Sequence, residues 1–75
     1  MVLLRRVGRR IVALREQRGL SQLQLARRAR IARSTLRYVE EGRHAVSLLV
    51  LDRLARVLRV DVRDLIPPTT RRRRR

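Results

Sequence analysis

An all-α fold, a compact bundle of five short helices, is what this chain of 75 residues predicts. Three observations carry that expectation. Apolar residues recur at helical spacing, and nowhere do they alternate as a half-buried strand would. Stop and start residues punctuate the chain in order: Gly19 then Ser21, Gly42 then Ser47, and later Asp61. The length suits one domain with a small core.

Helix 1 is expected over residues 4–18, because Val7, Ile11 and Leu14 share one face and arginines surround them. Gly19 ends it as a left-handed cap. Ser21, with Gln24 three residues on, makes a capping box for helix 2, which runs to residue 29 with Leu25, Ala26 and Ala29 facing inward. Residues 30–32 turn the chain, and Ile31 plugs the core. Helix 3 spans residues 33–40 on Leu36 and Val39, and Gly42 stops it. Ser47 caps helix 4, whose buried stripe is read as Leu48, Leu51, Leu54, Ala55 and Leu58. After a turn at Arg59 and Val60, Asp61 caps a short helix 5 carrying Val62, Leu65 and Ile66. Pro67-Pro68 ends it. The domain is therefore placed at residues 1–68. Residues 69–75, with five consecutive arginines, form a tail expected to be disordered in isolation through self-repulsion.

Composition narrows the function. The formal net charge is +15 and all 21 basic residues are arginine. Arginine keeps its charge and forks onto phosphates and guanine edges. A G+C-rich coding sequence would give the same bias. Removing the five terminal arginines still leaves +10. Such an excess favours nucleic acid or an anionic surface over neutral partners. There is no cysteine, hence no disulfide framework and no thiolate metal site. No apolar run is long enough to span a membrane, and the start does not read as a secretory signal. One histidine, no phosphate-cradling glycine loop and no obvious carboxylate pair argue against an enzyme, a metal site or a cofactor.

Residues 20–42 read as two short helices joined by a tight turn, the layout of a DNA-reading helix-turn-helix. The surrounding pattern is specific in combination. Leu14-Arg15, Gly19-Leu20-Ser21-Gln22, Leu25-Ala26, Ile31, Arg33-Ser34-Thr35-Leu36, Val39-Glu40 and Gly42 lead into Ser47-Leu48, Leu51, Leu54-Ala55, Val60 and Leu65 without a gap. Residues 7–65 thereby resemble the Cro/phage-repressor family of helix-turn-helix proteins, also called XRE-like. The resemblance implies a five-helix bundle with the third helix in the major groove. Three positions depart from the family pattern: Arg30 and Arg59 stand where glycine is usual, and Ala32 where Ser or Thr caps the third helix. A left-handed non-glycine residue and a lost cap each cost about 1 kcal/mol.

On this reading Arg33, Ser34, Arg37 and Tyr38 are the base-reading residues. Arg33 can fork onto guanine O6 and N7, and Tyr38 onto a thymine methyl or a phosphate. The competing reading is a solvated helix face. Gln22, at the first turn of helix 2, is a phosphate contact in the family, aided by the helix dipole. Arg43 and His44, in the loop after helix 3, are further phosphate contacts. Glu41 is out of place there, since a carboxylate repels phosphate. Arg15 and Glu40 resemble a family ion pair between helices 1 and 3; two solvated charges are the alternative.

The expected function is a sequence-specific double-stranded DNA-binding transcriptional regulator, a repressor, acting in the cytoplasm as a homodimer. Apolar Leu23, Leu49 and Val50 on exposed faces, with Val62, Leu65 and Ile66, are the candidate dimer surface. Two other readings compete. One is the antitoxin of a toxin–antitoxin pair, with a toxin as protein partner. The other is a non-specific nucleic-acid or anionic-membrane binder driven by arginine alone.

Overall fold

Four α-helices follow one another: α1 (Val2–Gln17), α2 (Gln22–Ala29), α3 (Arg33–Glu41) and α4 (Leu48–Leu58). A single 3-10 turn, Val62–Leu65, follows α4. This computed structural model describes residues 2–43 and 46–66, and no strand occurs among the described residues. His44, the Pro67-Pro68 stop, the boundary at 68 and the arginine tail lie outside them.

The fifth helix is thus one 3-10 turn rather than an α-helix. Four residues are too few to sustain α-helical propagation, whereas 3-10 geometry suits short pieces. Asp61 still caps it. Its carboxylate accepts the Arg63 N–H at 2.9 Å, and Asp64 answers onto the Asp61 N–H at 3.1 Å. The Arg63 N–H and then its guanidinium hold the Asp61 carboxyl below its usual range.

All four α-helices close alike, with a left-handed residue and a bond from the next N–H back to the carbonyl five residues earlier. These bonds run from Leu20 to Arg15, Ile31 to Ala26, Arg43 to Tyr38 and Val60 to Ala55. The left-handed residues are Gly19, Arg30, Gly42 and Arg59. Arg30 at φ 59° and Arg59 at φ 60° hold a conformation in which a Cβ is strained. The residue after the cap is apolar in three of the four cases, and Leu20, Ile31 and Val60 turn back onto the core.

Starts are less uniform. The Ser21–Gln24 box is present, with bonds of 3.0 and 2.8 Å. Ser47 accepts the Val50 N–H at 3.1 Å. Ala32 offers α3 no side-chain cap.

α1 packs on α3, α2 packs on α3 and α4, and the 3-10 turn packs on α4 and α1. Ile11, Leu25, Leu36, Leu54, Leu58 and Leu65 are fully buried between them. Each such side chain contributes about 1.5–3 kcal/mol by leaving water.

Two assignments of apolar residues change. Leu48 is 67% exposed and does not belong to the α4 stripe. It lies in the first turn, roughly 70° around the helix from the centre of the buried face. Leu65 is wholly buried, so it cannot form part of a dimer surface. Val50 and Val62 are partly buried against the core. Leu23, Leu49 and Ile66 remain exposed, at 43%, 60% and 41%.

Arginine side chains close several helix ends. Arg18 Nε donates to the last α4 carbonyl, Leu58 O, at 2.8 Å. Arg53 reaches Arg30 O at 3.2 Å, and Arg10 Nε reaches Asp64 O at 2.9 Å. A cation at a helix C-terminus also opposes the negative end of its dipole.

A candidate nucleic-acid interface on the third helix

Helix α3 buries Leu36 and Val39 against α1 and α2, which turns its opposite side to solvent. Arg33, Ser34 and Arg37 are exposed on that side and border an open recess of about 250 Å3. Three of the four expected base-reading residues therefore share one surface. The fourth, Tyr38, is half-buried beside them. The Arg37 guanidinium lies 5.4 Å from the centre of its ring and that of Arg43 lies 5.0 Å away. Both distances suit cation–π attraction. Arg43 also approaches Glu41 at 3.4 Å, an exposed pair of little energetic weight. Glu41 thus faces a neighbouring arginine.

Behind this surface is a polar lock. Glu40 is only 4% exposed in its side chain, and Arg15 14%. Arg15 Nε donates to Glu40 Oε2 at 2.8 Å and its NH2 to Oε1 at 3.3 Å, a forked pair. Arg15 NH1 donates to Leu20 O at 2.9 Å. Gln22 Nε2 donates to Glu40 Oε1 at 2.8 Å. The Glu40 carboxylate therefore joins α1, the start of α2 and the end of α3. Gln22 retains a second N–H and its carbonyl oxygen.

Gly8 is what lets α1 and α3 come so close. A Cβ there would lie 2.6 Å from Val39 O and closer still to Glu40 O. At Gly42 a Cβ would lie 2.8 Å from Arg5 Cα, and the residue has φ 70°. Gly42 carried a sequence signal; Gly8 did not, since nothing local reveals which backbone crosses it. The Gln22–Glu40 bond and the Arg37–Tyr38–Arg43 stack also went unread. The only aromatic residue, set among arginines, was the signal available for the stack.

The fold and this surface define a helix-turn-helix protein, and comparison with known proteins agrees. A family model described as helix-turn-helix matches residues 11–65. The immunity repressor protein of Bacillus phage phi105 is 39% identical over 64 residues, 85% of this chain and 44% of that protein. The chain thus spans less than half the length of that curated relative. Among solved structures, the restriction-modification controller protein C.AhdI from Aeromonas hydrophila aligns with a TM-score of 0.85 and 36% identity, covering 88% of this chain and 100% of that one. The clp gene regulator ClgR from Corynebacterium glutamicum aligns at 0.79 and 27%, covering 84% and 67%. SinR, the master regulator for biofilm formation, solved in complex with DNA, aligns at 0.76 and 33%, covering 79% and 95%. The chain belongs to the helix-turn-helix family.

Proposed function

We propose that this chain is a sequence-specific double-stranded DNA-binding transcriptional regulator. One observation carries the reading: the solvent side of α3 presents Arg33, Ser34 and Arg37 together around one recess. Arg33 opens the helix and forks onto a guanine edge, a contact worth about 1–3 kcal/mol of discrimination. Ser34, Arg37 and Tyr38 complete the base-reading set. Gln22, Arg43 and His44 hold phosphates, which fixes register without reading sequence. The Arg15–Glu40 pair sets the angle of α3 against its scaffold. The protein acts by binding, not by catalysis, and needs no cofactor or metal. Its similarity to a phage immunity repressor supports repression, by occupying DNA in the cytoplasm.

A symmetric homodimer follows from the small footprint of one recognition helix. Two copies would set their helices roughly 34 Å apart on an inverted repeat. Of the residues expected at a dimer surface, Leu23, Leu49 and Ile66 are exposed and available for that contact.

Selection of bound duplexes from a random library at about 150 mM salt, where non-specific attraction is reduced, tests the reading. An enriched inverted repeat with half-sites of about four to six base pairs is expected. Uniform recovery of all sequences would overturn sequence-specific binding. An enriched motif lacking any repeat, with one subunit bound by sedimentation, would overturn the dimer.

A further inference from the structure

We propose that Arg5 at the start of α1 joins Arg43 in a phosphate-binding station beyond the C-terminal end of α3, extending the protein's grip on the DNA backbone past the recognition helix. The proposal rests on the DNA-binding reading above. Its basis is the close crossing of α1 and α3. Gly8 lets α1 press against the carbonyls of Val39 and Glu40. One turn earlier on α1, the Arg5 backbone meets the Gly42 cap, with Cα 2.8 Å, N 2.9 Å and Cγ 3.0 Å from where a Cβ would stand. Arg5 is exposed there, and the next residue after Gly42 is Arg43, whose side chain is 59% exposed.

Arg43 in turn stacks on Tyr38, which stacks on Arg37. Arg37, Tyr38 and Arg43 are thus joined by ring contacts leading from the recess of α3, and Arg5 on α1 adjoins them at the neighbouring Gly42 backbone. Two exposed arginines brought to one edge repel each other, and a phosphodiester that both can reach removes that repulsion. The Glu41 carboxylate, 3.4 Å from Arg43 NH1 and 45% exposed, is too weakly held to compete with a phosphate. The tight backbone crossing explains why an arginine outside the helix-turn-helix segment reaches this edge.

The test compares Arg5→Gln, Arg43→Gln, Arg5→Lys and Arg56→Gln in the full chain. Arg56 pairs with Asp52 on α4 at 2.9 Å and serves as the equal-charge control. Binding to a random-sequence duplex and to a selected one is titrated across salt concentration, with the melting temperature of each variant alongside. Arg5→Gln is expected to weaken both duplexes about three- to tenfold and to lower the salt slope by about 0.9, as loss of one phosphate contact does. Arg5→Lys should restore the slope, and the sequence preference should stay constant throughout. A slope for Arg5→Gln equal to that of Arg56→Gln overturns the station. Because the random duplex needs no base reading, a flattened slope there with no enriched motif sinks sequence specificity and leaves the station standing. An enriched motif with an unchanged slope does the reverse.

Discussion

Gln22 Nε2 donates to Glu40 Oε1 across 2.8 Å, tying the first turn of α2 to the last turn of α3. The two elements of the helix-turn-helix are therefore held at both ends of their angle. The short turn at Arg30–Ala32 fixes one end, and this amide–carboxylate bond fixes the other. Arg15 supplies the countercharge from α1.

Removing Glu40 should be costly. Glu40→Ala leaves the Arg15 guanidinium largely buried with no anion, a situation worth about 3–5 kcal/mol. That is a large part of the stability of a small domain. Urea denaturation should show the midpoint falling steeply. A midpoint equal to wild type would mean the network contributes nothing to the fold.

Arg30→Gly and Arg59→Gly should each stabilise. Both residues sit at left-handed φ, and relieving a Cβ there returns about 1 kcal/mol. For a domain of this size that is roughly 4–8 °C in melting temperature. The sites lie on different helices, so the double variant should show the sum. A fall for both single variants would refute the strain argument.

Gly8→Ala should destabilise, although alanine is the better helix former by about 1 kcal/mol. The new methyl would meet the Val39 and Glu40 carbonyls, which belong to backbone and cannot swing aside. Forcing α1 away from α3 costs about 1–3 kcal/mol. Thermal unfolding decides it, and a rise in melting temperature would show that the two helices have room to part.

Arg33→Ala and deletion of residues 71–75 should fail in different ways. The first should relax base preference at one position of the selected site, since Arg33 opens the recognition helix. The second should weaken all duplexes alike and flatten the salt slope. Exchange of these two outcomes would reverse the division of roles.

Much of the fold was written in short-range signals. Gly19, Ser21 with Gln24, Gly42 and Ser47 each act within a few residues, so stops and caps were readable directly. Arg30 and Arg59 were legible as left-handed only through the family resemblance, which puts glycine at both positions. Leu48 reads as buried from its spacing to Leu51 and Ala55, but it is the first residue of α4 and the buried face of that helix begins only at Leu51. Leu65 was misassigned because a four-residue 3-10 turn shows too little period to tell inside from outside. At the candidate site, the common exposed surface of Arg33, Ser34 and Arg37 was legible from their place on the third helix of the resembled motif. Gly8 and the Gln22–Glu40 bond did not, because each depends on a helix crossing between residues far apart in sequence.

The arginines that close helix ends have a consequence for any attempt to lower the charge of this protein. At Arg10 and Arg18 it is Nε, on the inner edge of the guanidinium, that meets a carbonyl. The rest of the same planar group still carries its share of the delocalised charge, although at Arg18 one terminal N–H already donates to Gln17 Oε1 at 3.2 Å. One side chain thus serves as an internal tether and as part of the external field. A lysine ends in a single ammonium nitrogen, so its donors and charge sit at one point rather than spread over a planar fork. Charge-reducing substitutions at these two positions would untie the end of α4 and the final turn, so lowering the charge has to begin elsewhere on the surface.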